Sequence, residues 1–208
     1  MTLGLFPLDI VLFPQIRYPL HIFEPRYKAL INECVERGSE FGINLIDNGQ
    51  LHSIGCSALV VDIVEKYSDG RMDIVVEGVA RYKVLDLVPT DAPYTVANVE
   101  EYVDSNTEFD EALCSSVLET YNRIVGLVYG LAAPTLKADE LSGAPSFDMA
   151  PKSGLSKMQR QMLLELRDEN TRLTLLKTHY DDVMPSVDKA DMIQRVVKND
   201  GYLRLDEG

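Results

Sequence analysis

The hydrophobic period of this chain changes once, near Val103, and that change decides which folds it can adopt. Before residue 104 the apolar residues come in short β-branched runs, "IGCSALVVDIVEKY" and "RMDIVVEGV", or alternate with polar ones in "YTVANVEEYV". Both patterns suit strands of a small barrel or of strongly bent sheets. "SDG" at 68–70 separates the first two runs; Gly70 can supply the positive φ of a tight hairpin turn. "ARYKVLDLV" continues the meander after Gly78, and Pro89 and Pro93 bracket a loop before the next strand.

After Val103 the spacing becomes helical. Ser105 and Glu108 stand at capping-box spacing ahead of Phe109, Leu113, Val117, Tyr121, Ile124, Val125 and Val128, and Pro134 closes the element. Residues 135–154 read as mostly loop with one short helical turn. Ser156 and Gln159 repeat the capping box before Met158, Met162, Leu163 and Leu166. A further helix is expected over 170–183, with Leu173, Leu176 and Tyr180 on one face. A last one starts at Ser186, carries Ala190, Ile193, Val196 and Val197, and ends at "NDG", 199–201. The expected class is therefore α+β, with a β domain at 1–104 and a helical bundle at 105–208.

At 208 residues the chain can bury a core without a metal or disulfide staple. Cys34, Cys56 and Cys114 are odd in number and form no C-x-x-C pair, which suits buried free thiols in a reducing compartment. The opening "MTLGLFPLDIVLFPQ" has no basic flank and is broken by Asp9 and two prolines, so it does not read as a signal peptide. No apolar run reaches the ~18 residues of a membrane span. The expectation is a cytoplasmic protein with no membrane partner. The net charge of −13 is spread over both halves, and no basic cluster of three occurs, so nucleic acid is not expected as a partner.

"PLHIFEPRYKALI", 19–31, concentrates a histidine, a glutamate, an arginine and a tyrosine. Glu24 precedes Pro25 and is pushed to extended geometry, while Pro25 fits the first position of a helix. Tyr27, Leu30, Ile31, Cys34 and Val35 then keep helical spacing up to Gly38, and Arg26 is placed to pair with an acid at the same corner. A strand-to-helix junction accounts for the cluster. A catalytic reading of His21, Glu24 and Tyr27 would need a nucleophile or metal that the local spacing does not supply.

Several stretches together resemble the N-terminal domain of the ATP-dependent protease Lon. "LGLFPLDIVLFPQIRYPLHIFEPRYKALI" is similar to that family's opening signature, in which an "FPL" strand leads through an "FP" pair to "PLHIFEPRY". "IGCSALVVDIVEKYSDGRMDIVVEGVARYKV" resembles its Gly-started strand, "DGR" hairpin and "EG…R" strand, and "PYTVANVEEY" the strand that follows. "LSKMQRQMLLEL" is similar in type but weaker in identity. The resemblance implies a PUA-like pseudo-barrel of bent β-sheets with one helix, followed by a C-terminal helical bundle, here as a stand-alone version. It also implies recognition of unfolded or extended polypeptide or of a protein partner, with weak homo-oligomerisation left open.

Catalytic equipment is not legible. No G-x-x-x-x-G-K-[ST] occurs, so no P-loop and no nucleotide cofactor is expected. "PKSGLS", 151–156, echoes a serine-nucleophile stretch, but Ser156 is better used as a helix N-cap. His21, His52 and His179 lie far apart with no metal-ligand spacing. The Met158/Met162 pair reads as core packing. The expectation is a non-catalytic polypeptide-binding or adaptor module. The alternatives are a hydrolase assembled from His21, Glu24 and Asp47, and PUA-like RNA binding, which the charge disfavours. The candidate binding residues are Gln15, Ile16, Arg17 and Tyr18, in a loop over 13–20 held between Pro14 and Pro19 and expected to frame a groove with the helical half.

Overall fold

The computed structural model describes residues 1–130 and 133–198. In chain order its elements are β1 (Thr2–Leu8), β2 (Arg17–Ile22), α1 (Pro25–Arg37), β3 (Phe41–Asp47), β4 (Gln50–Leu51), β5 (Ile54–Lys66), β6 (Met72–Val88) and β7 (Thr95–Glu101). Then come α2 (Glu111–Tyr129), a 3₁₀ turn (Ala138–Glu140), α3 (Pro145–Met149), α4 (Lys157–Glu165) and α5 (Glu169–Lys198). They fall into two compact units: Met1–Asn106 with Leu155–Arg167, and Thr107–Gly154 with Asp168–Gly208. The sequence reading grouped α4 with the helices, whereas its contacts group it with the sheet.

In the first unit, β1 pairs antiparallel with β7 and parallel with β3, so the order β1-β7-β6-β5-β3 returns to β1 as a five-stranded ring. β2 adds to the outer part of β6, and β4 to β3. β5 and β6 form the expected hairpin, with Gly70 at φ +82 in its turn. β6 does not stop at Gly78 but runs through it for 17 residues. Glycine is required there for closeness: an added Cβ would lie 2.1 Å from the Phe13 carbonyl oxygen.

The core joins Phe6, Leu12, Phe41, Met72, Ile74 and Val76 with the inner face of α1, which supplies Tyr27, Leu30, Ile31 and Cys34. The junction read from the sequence is present. Glu24 is the extended N-cap, Pro25 opens the helix, Gly38 ends it, and Arg26 pairs with Glu24 at 2.8 Å. Val35 departs from the expectation, being 40% exposed. Tyr27 lies against Phe6, ring centroids 4.0 Å apart, while Pro25 is exposed. Tyr27→Ala is expected to cost about 3–5 kcal/mol, a melting-temperature loss on the order of 10 °C. Pro25→Ala, which only relaxes a pre-set φ, is expected to cost less than about 1 kcal/mol. Thermal melts of the two variants check this; equal losses would contradict it.

α4 is fastened to the sheet by polar contacts that its local sequence does not announce. The buried Arg81 donates to the carbonyls of Leu164 (2.8 Å) and Leu166 (2.6 Å) and pairs with Asp104. Gln161 Nε2 donates to the carbonyl of Ile54 at 3.0 Å, and the Tyr102 hydroxyl to that of Glu165 at 2.9 Å. Ser156 caps α4 in the expected box with Gln159. Met158 and Met162, read from the sequence as core, are 46% and 55% exposed; Gln161, Leu163 and Leu164 are buried instead.

In the second unit, α2 packs on α5 and α3, burying Val117, Tyr121, Ile124 and Val125 from α2 and Leu173, Leu176 and Tyr180 from α5. Ser105 does not cap α2. Its hydroxyl and N–H both donate to the carbonyl of Arg167, and Asp110 caps instead, accepting from the N–H groups of Ala112 and Leu113. Nor does a new helix begin at Ser186, because α5 passes through Pro185 without a break. The expected stop at 199–201 lies outside the described residues. Among the described residues no helix is long and apolar enough to cross a membrane.

All three cysteines are free and buried. Burial pushes each thiol above its ordinary range, Cys56 most strongly. None is expected to react with an aromatic disulfide reagent at neutral pH in the native state, and all three should react in denaturant. A thiol titrating fast in the native protein would contradict this.

Candidate functional site

The four residues singled out for binding straddle the start of β2. Gln15 adopts a left-handed backbone (φ +63) and donates its N–H to the Gly78 carbonyl at 2.7 Å; Gly78 returns its own to the Ile16 carbonyl at 3.0 Å. This clamp fixes the loop on β6, so the loop ends at Ile16 and Arg17 begins a strand. The expected interruption at Pro19 is absent, because β2 has a neighbour on one side only and an edge strand tolerates a proline. Arg17 pairs with Glu77 opposite at 2.7 Å, Ile16 is half-buried, and Tyr18 is 36% exposed.

The same ladder brings His21 opposite Asp73. His21 Nδ1 lies 2.6 Å from one Asp73 oxygen, and the Tyr67 hydroxyl donates to the other at 2.7 Å. These two contacts hold the Asp73 carboxyl below its usual range, and the bond to Asp73 pushes the Tyr67 phenol up to about 12. Phe23, 59% exposed, stacks on His21, and Arg71 lies over the Tyr67 ring. Sequence reasoning missed Asp73 and Tyr67. The signal was available only through the register of β2 on β6, which sets residues 52 positions apart side by side.

The residues of the hydrolase alternative have separate partners. Glu24 is taken by Arg26, and Asp47 by Lys157 at 2.8 Å. His52 faces Glu165 at 3.6 Å, and His179 meets the Ser153 carbonyl at 3.0 Å. Ser156 is engaged as a cap. Among the described residues no three His, Cys, Asp or Glu side chains converge as a metal site.

A concave region lies beside α1. A cavity of about 660 Å³ is floored by Leu3, Leu30 and Val96 and rimmed by Glu33, Arg37 and Tyr94. Glu33 accepts from the Tyr94 hydroxyl at 2.5 Å and pairs with Arg37 at 2.6 Å. Across Cys34, Gly38, Ser39 and Leu59 it adjoins a smaller cavity of about 270 Å³ that runs against β5.

The sheet-containing unit is thus a closed ring of strands with α1 packed against it and two adjoining concavities beside that helix. A family model described as the ATP-dependent protease La (LON) substrate-binding domain matches residues 2–180, and the chain belongs to that family. It is similar to the Lon protease of Desulfosudis oleivorans, 26% identical over 96% of this chain and 26% of that protein. It is also similar to Lon protease 3 of Sorangium cellulosum, 27% identical over 83% of this chain and 23% of that one. The chain thus spans about a quarter of the length of the curated relatives it matches. Among solved structures its fold is shared by a Lon N-terminal domain protein from Xanthomonas campestris (TM-score 0.68, 24% identity, covering 86% of this chain and 98% of that one). It is likewise shared by the N-terminal domain of Mycobacterium avium complex Lon protease (TM-score 0.69, 17% identity, 88% and 99%).

Proposed function

We propose that this chain binds unfolded or extended polypeptide through its sheet-containing unit, as a non-catalytic adaptor module without ATPase or peptidase chemistry in these 208 residues. The observation that carries the reading is membership of a family defined by substrate binding, over residues 2–180. In this reading the ring of strands is a PUA-like pseudo-barrel, and α2, α3 and α5 form the helical bundle. Arg17 and Tyr18 belong to the binding surface. Both are exposed on an edge strand, and both are of the residue types most enriched at interface hot spots. Gln15 and Ile16 support them from the clamp on Gly78.

The test compares Tyr18→Ser and the double variant Ile16→Ser, Tyr18→Ser with the unaltered chain. Melting temperature and affinity for a reduced, carbamidomethylated unfolded protein are measured. Tyr18→Ser is expected to change stability by no more than about 0.5 kcal/mol and to weaken binding about tenfold or more. The double variant should lose some stability as well, because Ile16 is half-buried. Undiminished binding would remove these residues from the surface. Turnover of ATP or of the unfolded protein would contradict the non-catalytic reading.

A further inference from the structure

β5 is paired with β6 along its whole length, but with β3 only over residues 56–58. From Leu59 onward its second side has no neighbouring strand among the described residues. The 270 Å³ cavity lies beside this stretch. Residues 59–63 form one wall, and Cys34, Val35 and Ser39, on α1 and its exit, form the other. Alternate residues of an unpaired strand turn their N–H and C=O groups outward, and an extended polypeptide satisfies that repeat. The walls are apolar where side chains would enter: Val35 is 40% exposed, Val61 43% and Ile63 39%.

β2 and β5, two of the free edges of this unit, differ in protection. β2 carries Pro19, which lacks a donor, and Arg17, paired with Glu77. β5 is interrupted within the cavity by a single register shift beside Asp62, and is blunted more heavily beyond it, where Glu65 and Lys66 follow the shift between Ile63 and Glu65. The earlier shift, between Val60 and Asp62, leaves a valine rather than a charge at position 61. The stretch that borders the cavity, residues 59–63 or about 16 Å of strand, is long enough for a peptide segment. Charge sets the character of that segment. Glu33, Glu40 and Asp62 line the two cavities, and the lining side chain of opposite sign, Arg37, is already paired with Glu33.

Resting on the polypeptide-binding reading above, we propose that residues 59–63 of β5 are the docking edge for an extended segment rich in apolar and basic residues, which joins the sheet as an added strand beside α1.

The probe is a fluorescein-labelled decapeptide of alternating valine and lysine, with its affinity read by anisotropy. Two N-methylated versions, each blocking one alternate set of backbone N–H groups, separate backbone pairing from simple apolar contact. One set is expected to bind at least tenfold more weakly than the parent, and the other much less so. A valine–glutamate decapeptide should bind more weakly than the lysine one. Val61→Lys, an exposed change, should keep the melting temperature and weaken the lysine peptide at least tenfold. Equal affinity of both methylated peptides and the parent overturns strand addition. Undiminished peptide binding by Val61→Lys, with the unfolded protein still bound, overturns the β5 assignment and leaves the polypeptide-binding reading standing. Failure of the unaltered chain to bind either probe overturns both. A dimer that Val61→Lys converts to monomer, at constant peptide affinity, would assign the edge to a second copy of this chain and overturn the client.

Discussion

Arg81→Met is expected to destabilise the sheet-containing unit by about 3–5 kcal/mol, the cost of removing one partner from a buried ion pair. Methionine preserves much of the side-chain volume, so the loss reports on polar chemistry rather than on a cavity. Arg81 is 6% exposed, and its partner Asp104 is also largely buried. Without the guanidinium that carboxylate stays in a poorly solvated place, and the carbonyls of Leu164 and Leu166 lose a charged donor. The double variant Arg81→Met, Asp104→Leu should recover a substantial part of the loss, since no unpaired charge remains. Denaturant titrations of the three proteins check this. A single variant within about 1 kcal/mol of the parent would show that the guanidinium does not hold α4 to the sheet.

The second large effect is expected at Arg172. It and Glu169 are both fully buried, 2.5 Å apart, and the Ser146 backbone N–H and hydroxyl donate to the same carboxylate at 2.7 and 2.9 Å. The guanidinium also lies 4.5 Å from the Phe147 ring centroid. Arg172→Met abandons the carboxylate in the interior of the second unit and is expected to cost about 3–5 kcal/mol. Glu169→Gln keeps an acceptor for Ser146 but leaves the guanidinium without its counter-charge, and should cost less only if Ser146 holds the amide. The check is hydrogen exchange read over α3 and α5: Arg172→Met should release protection there first. Unchanged exchange would mean the pair does not anchor α3.

What could be read from the sequence was whatever is written locally. The face of Leu173, Leu176 and Tyr180, the capping box of Ser156 and Gln159, and the Glu24–Pro25 junction each depend on residues within a turn or two, and each is present. Other features depend on distant partners and escaped. Gly78 reads as the end of a strand, yet it is glycine because the Phe13 carbonyl passes over it. Val35 keeps helical spacing with the core residues but faces a cavity that only β5 completes. α4 looks like one more helix of the second half, although its buried Gln161 bonds to Ile54, 107 positions earlier. At the candidate surface Arg17 and Tyr18 could be named from residue type. Their cross-strand partners and the open side of β5 follow from strand register, which a single sequence does not display.

The chain leaves the sheet-containing unit at Asn106 and re-enters it at Leu155, and this has a consequence for biosynthesis. A nascent chain that has emerged only as far as β7 holds every strand of the ring but not the helix whose carbonyls receive Arg81. The guanidinium and Gln161's acceptor at Ile54 must wait while all of Thr107–Gly154 is translated, a delay on the order of several seconds at about 5–20 residues per second. During that interval the ring is a half-finished product with an open polar seam, and it becomes a candidate for capture by ribosome-associated chaperones.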